Sequence, residues 1–216
     1  MSMSKNRISD FFDSYAEGFN AIYGTKNTMI NRLINRFFRK SMKLRYLKTI
    51  EGCTPIKGKR VIDIGCGPGH FGITLARKGA RLVRGIDFAR GMIQLAKKNA
   101  KMHGVESRCD FVLGDFLSYP IKEKYDFSIV MGFMDYIENP INVIDKVLSI
   151  TQLKAFFSFP SDTGFLAWQR KIRYKKKCDL YLYNWNQLKA LFKNVECKEV
   201  KIEKISRDFF VTVFVG

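Results

Sequence analysis

From residue 59 onward, short apolar runs alternate with stretches whose apolar residues recur at helical spacing. Strands that alternate with helices in this way predict a parallel sheet built of βαβ units. The predicted helices are 71–78, 90–103 and 140–150, and the first two are each followed by a glycine. The predicted strands are Arg60–Ile64, Arg81–Ile86, Arg108–Leu113, Tyr125–Met131 and Lys154–Phe159.

The end of the chain departs from this alternation. A helix is predicted at 185–192, and two strand-like runs follow at 195–204 and 208–215 with no helix between them. A short turn can join antiparallel strands, whereas parallel strands need a long crossover. This part of the chain therefore predicts a hairpin that gives the sheet one antiparallel edge.

Residues 1–58 stand apart from the alternating pattern. They contain two helical candidates, 8–22 and 28–50, followed by a loop with one proline and two glycines. We interpret residues 1–58 as a helical cap or lid over the strand ends, and residues 59–216 as the main domain.

The strongest chemical signal is the sequence VIDIGCGPGHFG at residues 61–72, where a strand runs through a glycine-rich turn into a helix. Glycines in such a turn let backbone N–H groups approach a ligand closely. Three of these glycines also spell the GxGxxG fingerprint, so a nicotinamide or flavin enzyme is an alternative. Asp63 argues against that alternative, because a carboxylate beside the turn repels a pyrophosphate and suits a ligand with a positive end.

Acidic residues mark the ends of the first three strands. Asp63 lies in strand one, Asp87 closes strand two 18 residues after Gly69, and Asp115 follows strand three. In a parallel sheet the second of these acids lies beside the first turn, where a carboxylate can accept hydrogen bonds from ribose hydroxyls. The third lies where it can accept from the exocyclic amine of an adenine. Together the three acids predict a site for a cationic nucleoside.

With these motifs the chain resembles the class I S-adenosylmethionine-dependent methyltransferases over about residues 58–159. The resemblance implies a doubly wound α/β fold with a seven-stranded, mostly parallel sheet of order 3-2-1-4-5-7-6, in which strand seven is antiparallel. It also implies S-adenosylmethionine as the donor and S-adenosylhomocysteine as the product. The residues assigned to the cofactor are Tyr15, Asp63, Gly65, Cys66, Gly67, Gly69, Asp87, Phe88, Met92, Asp115, Phe116, Met131 and Gly132.

The family pattern gives several of these residues a specific place. Phe116 is expected against the adenine, and the backbone at Met131 and Gly132 is expected beneath the methionyl group. The hydroxyl of Tyr15, in the N-terminal lid, is expected near the methionyl carboxylate. Within the family, the segments FFDSYAEGF and FSFPSDTGFLAWQRKIRY look most like small-molecule O-methyltransferases, including those of quinone and porphyrin pathways.

The candidate acceptor-side residues follow strand four in the segment MGFMDYIEN. Methyl transfer from a sulfonium needs mainly alignment, and a base only where the acceptor must lose a proton. Asp135 or Tyr136 can orient or deprotonate a hydroxyl, although Asp135 can also cap a turn and Tyr136 can pack on a helix. Many family members have a histidine near this point and this chain has none, which leaves base catalysis open.

The net charge of +18 is unusual for a chain whose composition is otherwise ordinary, with 46% hydrophobic residues. Basic residues cluster at 26–48 and 170–177, two stretches that lack acids. The charge suits an anionic small acceptor, an acidic carrier protein or an anionic membrane surface. RNA is disfavoured, because no aromatic and basic stacking platform is visible.

The five cysteines are scattered without metal-ligand spacing, so we expect reduced thiols, no metal site and a cytoplasmic protein, peripheral at a membrane if the basic helix binds one. The favoured function is methyl transfer to an oxygen of a small-molecule acceptor. The alternatives are a methyltransferase-like binding protein and a dinucleotide-dependent oxidoreductase.

Overall fold

The computed structural model describes residues 29–163 and 179–216, with side chains from residue 41 onward. The helices are α1 (Met29–Gly52), α2 (His70–Arg77), α3 (Arg90–Met102), α4 (Pro140–Ser149) and α5 (Trp185–Phe192). The strands are β1 (Arg60–Ile64), β2 (Leu82–Asp87), β3 (Cys109–Leu113), β4 (Tyr125–Val130), β5 (Thr151–Pro160), β6 (Glu199–Ile205) and β7 (Asp208–Phe214).

The strands form one seven-stranded sheet of order β3-β2-β1-β4-β5-β7-β6. Strands β1 to β5 pair in parallel, and β7 pairs antiparallel with both β5 and β6. The predicted order and the predicted terminal hairpin are therefore confirmed. The order reverses between β1 and β4, and ligands of open α/β sheets bind at the carboxyl ends of the strands beside such a reversal.

Two strand boundaries differ from the prediction by more than one residue. β5 begins at Thr151, three residues earlier than expected, because the buried Thr151 hydroxyl donates to the Val147 carbonyl and contacts the Ser128 hydroxyl at 2.6 Å. Polar residues at the start of β5 concealed this extension in the sequence. β6 begins at Glu199 and not at Val195, because residues 193–198 form the turn out of α5.

Apolar residues alternate between the two faces of the sheet and form one core on each. Ile62 and Ile64 of β1 belong to the core that packs against α4 and α5. Val61 belongs to the opposite core, which includes residues of α2 and α3. Helices on both faces make the fold doubly wound, as predicted.

Helix α1 packs on the same side of the sheet as α2. Its Tyr46 ring lies 5.6 Å from that of Phe71, and the Tyr46 hydroxyl lies 2.7 Å from that of Thr74. Farther along α1, Lys48 donates to Glu203 of β6 at 3.0 Å. The other predicted N-terminal helix, 8–22, lies outside the described residues, and the division of the chain at residue 58 stays a prediction. Within the described ranges, no helix is long and apolar enough to span a bilayer.

Candidate active site

The glycine turn between β1 and α2 is closed by backbone hydrogen bonds. The amides of Gly65 and Cys66 both donate to the Ile86 carbonyl, at 2.8 and 3.1 Å. Gly67 has a φ of +50°, and a Cβ added there would meet no atom within 4 Å. Gly69 begins α2 without a side-chain cap, so no side chain at this position satisfies the N–H groups of the first helical turn. The turn thus has open space for a ligand beside Gly67.

Asp63 lies beneath this turn and is 1% exposed. Its Oδ2 atom accepts no hydrogen bond from the described residues. Burial raises the pKa of the Asp63 carboxyl to about 7, a hydrogen bond from the Gly72 amide opposes that rise, and the charge of Asp87 adds to it. A buried acceptor with an unused oxygen favours a cationic or donating partner. This orphaned oxygen fits the ammonium end of a methionyl group.

Asp87, at the end of β2, is held in one orientation by the neighbouring backbone. Its Oδ2 accepts from the Gly67 amide and its Oδ1 accepts from the Ala89 amide, each at 2.9 Å. The predicted ribose-binding carboxylate therefore directly contacts the glycine turn. Each carboxylate oxygen can accept more than one hydrogen bond, which leaves capacity for ribose hydroxyls.

The turn after β3 is joined to the end of β2. The amide of Gly114 donates to the Asp87 carbonyl at 2.9 Å. Asp115 then organises the turn, because its Oδ1 accepts from the Leu117 amide at 3.2 Å and its carbonyl accepts from the Tyr119 amide at 2.8 Å. The three predicted acids thus lie at one edge of the sheet, on three adjacent strands.

Three side chains assigned to the cofactor lie in the core. Cys66 is 5% exposed, Met92 is 3% exposed and Phe116 is 2% exposed. Phe116 packs in the core that includes residues of α4, and its expected contact to an adenine stays a prediction. Phe88 is half-buried.

The turn after β4 packs directly on the glycine turn. A Cβ added to Gly65, whose φ is +66°, would lie 2.8 Å from Cδ2 of Phe133. Gly132 has a φ of +71°, and its amide donates to the Ser158 hydroxyl of β5 at 2.8 Å. Met131 and Gly132 are both half-buried at this end of the sheet, and their position beneath a methionyl group stays a prediction.

Arg45 of α1 was not foreseen from the sequence, where it is one of many basic residues. Its Nη1 donates to the Ser158 hydroxyl at 3.1 Å and lies 3.8 Å from the position of a Cβ added to Gly132. Its Nε lies 3.7 Å from Oδ2 of the buried Asp208, which also accepts from the Ser41 hydroxyl at 2.5 Å. A positive charge therefore lies beside the expected methionyl position. Tyr15, the other residue assigned there, lies outside the described residues.

The candidate acceptor side consists of a 3-10 turn and a facing segment of chain. Asp135 and Tyr136 belong to the turn Met134–Tyr136, in which Asp135 is 3% exposed and Tyr136 is half-buried. The amide of Tyr181 donates to the Asp135 carbonyl at 2.9 Å. Burial, and then the charge of Asp135, raise the pKa of Tyr183 to about 12. Tyr181 and Tyr183 reach the turn through tertiary packing, and nothing in their local sequence indicated this.

A methyltransferase domain family model matches residues 56–160. The ubiquinone biosynthesis O-methyltransferase of Neisseria meningitidis serogroup C is 29% identical over 99 residues, which are 45% of this chain and 42% of that protein. The corresponding protein of Coxiella burnetii is 29% identical over 116 residues, or 52% of this chain and 48% of that protein. The chain thus spans less than half the length of these curated relatives.

Among solved structures, magnesium protoporphyrin IX methyltransferase from Synechocystis PCC 6803 with bound SAH has a TM-score of 0.75 at 20% identity. That match covers 98% of this chain and 100% of the other, and at this identity it shows a shared fold. The family match lies on the β1–β5 region that carries the glycine turn and the three acids. Residues 56–160 are thus similar to methyltransferase domains, and the chain shares the fold of the Synechocystis methyltransferase.

Proposed function

We propose that the protein transfers a methyl group from S-adenosylmethionine to an oxygen of a small-molecule acceptor. The observation that carries the proposal is the buried Asp63 carboxylate, whose Oδ2 lacks a hydrogen-bond partner among the described residues beside an open glycine turn. A cationic ligand supplies the missing partner, whereas the pyrophosphate of a dinucleotide would be repelled. A dinucleotide-dependent oxidoreductase is disfavoured for this reason.

Each acidic residue at a strand end is assigned to a different part of the cofactor. In this proposal Asp63 faces the ammonium group, Asp87 accepts from the ribose hydroxyls and Asp115 accepts from the adenine amine. Arg45 balances the methionyl carboxylate, for which its position beside Gly132 is suited. When bound, S-adenosylmethionine supplies an electrophilic methyl group on a sulfonium, so the protein needs mainly to align the acceptor and exclude water.

Asp135 is the proposed proton acceptor. An acceptor hydroxyl must lose its proton to the solvent or to a base as its oxygen bonds to the methyl carbon. The Asp135 carboxyl can take that proton, while Tyr136 orients the acceptor. A carboxylate acceptor needs no base, so an unchanged rate in Asp135→Asn would indicate such an acceptor.

The acceptor is proposed to be an anionic or a carrier- or lipid-linked metabolite, on the strength of the +18 net charge. Within the described side chains, two basic residues of the stretch 26–48 are already paired, Arg45 with Asp208 and Lys48 with Glu203. Lys43 is exposed and remains available on α1. The second basic stretch, 170–177, lies outside the described residues.

Calorimetry with S-adenosylmethionine, S-adenosylhomocysteine and NAD tests the donor. We expect the two adenosyl ligands to bind and NAD not to bind; binding of NAD alone would overturn the proposal. A matched pair of catechol and its carboxylated analogue, with labelled donor, then tests the acceptor. Transfer to the carboxylated compound in preference supports an anionic acceptor. Binding of the donor with no transfer to any compound in a metabolite extract supports the alternative of a binding protein.

A further inference from the structure

The ammonium group of Lys146 in α4 binds the turn that follows β3. Its Nζ donates to three backbone carbonyls, those of Phe116 at 2.7 Å, Leu117 at 3.0 Å and Tyr119 at 2.7 Å. An ammonium group has three N–H donors, so these contacts use all of them. The same nitrogen lies 5.1 Å from the centre of the buried Phe116 ring. Through these hydrogen bonds Lys146 joins helix α4 to the turn.

Asp115 and Lys146 bind different sides of this turn. The carbonyl of Asp115 accepts from the Ser118 and Tyr119 amides, which closes the turn on one side. The carbonyls of residues 116, 117 and 119 converge on the far side, and converging carbonyl dipoles repel one another unless a cation lies between them. Lys146 supplies that cation. Lys146 therefore binds three carbonyls of the backbone that directly follows Asp115.

We propose that Lys146 is a positioning residue that makes the site selective for an adenine over a base with a carbonyl at the same position. The inference rests on the proposed use of an adenosyl cofactor with Asp115 at its base. The exocyclic amine of adenine donates to a carboxylate, whereas the carbonyl of hypoxanthine meets it as a second acceptor. Discrimination of this kind requires the carboxylate to be held in place, since a mobile acid can turn away from the carbonyl.

The test compares the affinities of S-adenosylhomocysteine and S-inosylhomocysteine by calorimetry. We expect the wild-type protein to prefer the adenosyl compound by about tenfold or more, because the inosyl compound loses a charge-assisted hydrogen bond. Lys146→Met is expected to reduce that ratio to about threefold or less. Lys146→Arg, which keeps the charge and several donors, is expected to retain most of the ratio.

Lys124→Met is the matched control. Lys124 also donates to a backbone carbonyl at an end of α4, that of Ser149, but it lies beside the first residue of β4, at the edge of the sheet away from the site. We expect Lys124→Met to leave the ratio unchanged. Hydrogen exchange of the residue 117–119 amides supplies a second readout, and we expect faster exchange in Lys146→Met but not in the control.

An unchanged ratio in Lys146→Met would overturn the inference, even if both ligands bound more weakly by the same factor, as a purely structural role predicts. In an Asp115→Asn background, Lys146→Met should cause no further loss of selectivity; an additional loss would also refute the proposed route through Asp115. If Lys146→Met fails to fold, Lys146→Gln replaces it with the same outcomes. A wild-type protein that binds neither ligand refutes the proposed function itself, whereas normal binding with an unchanged variant ratio refutes the role of Lys146 alone.

Discussion

Replacing Asp63 by asparagine tests the electrostatic feature on which the proposed site depends. The pKa of this buried carboxyl is about 7, against an ordinary value of 3.8, and burial is the main cause. At about 1.36 kcal/mol per pH unit, that difference means that the ionised group costs about 4 kcal/mol of the free energy of unfolding. Asparagine has nearly the same shape and carries no charge, so it removes this cost.

The sign of the effect follows from which state binds the proton. Between pH 3.8 and about 7 the folded protein keeps the Asp63 proton and the unfolded chain has lost it, so stability falls as the pH rises through this window. From pH 5.5 to 8.5 the wild-type protein should therefore lose about 2 kcal/mol relative to Asp63→Asn. For a chain of this size that loss corresponds to a relative decrease of about 4–8 °C in Tm.

Urea unfolding of both proteins at pH 5.5 and 8.5 measures how the free energy of unfolding changes with pH in each. Subtracting the two changes removes the titration of all groups that the proteins share. Parallel pH dependence of the two proteins would refute the idea that Asp63 is protonated when buried. The pH dependence of ligand affinity gives a second, independent test. A cationic methionyl group should favour the ionised acid, so the affinity for S-adenosylmethionine should rise with pH through about 7 in the wild type only. Equal affinities of wild type and variant at pH 8 would show that Asp63 does not face the ammonium group.

Three further predictions concern neighbouring parts of the site. Asp87→Ala should weaken binding of S-adenosylhomocysteine by about 1–3 kcal/mol, measured by calorimetry, because ribose hydroxyls lose their acceptor; an unchanged Kd would contradict the assignment. Gly65→Ala should destabilise the protein more than Gly67→Ala in thermal melts, because both positions have positive φ but only at Gly65 does a Cβ meet the Phe133 ring, at 2.8 Å. Asp135→Asn should lower kcat by about 10²–10⁴ with a hydroxyl acceptor while leaving cofactor affinity unchanged, and equal loss of both would point to a structural role.

Much of the fold is encoded in local patterns that are readable without a structure. The apolar run of β1, the glycine turn and the amphipathic α2 follow one another within residues 60–77, so their order and their types are determined by neighbours in the chain. The same holds for Asp63, Asp87 and Asp115, each of which is defined by its position at a strand end. Because parallel strands place their carboxyl ends at one edge, the strand order was sufficient to bring these acids together.

The direction of individual side chains was not predictable in this way. Phe116 follows an acid at a strand end, where an aromatic ring can face either a ligand or the core. The structure places it in the core beneath Lys146, because the apolar residues of α4 and β4 provide a buried surface for its ring. A single residue's pattern does not distinguish these environments, since both are apolar.

Sequence alone determined the glycine turn, the line of acids and the doubly wound sheet, all of which depend on residues close together in the chain or on strand order. The tertiary structure alone decided which charges reach the site. Arg45 contacts Ser158 and Asp208, which lie 113 and 163 positions further along the chain. Lys146 binds backbone carbonyls that lie about 30 positions before it. In the sequence such residues look like any solvated lysine or arginine, because a charge acquires a specific role only when packing removes it from water and places it beside particular acceptors.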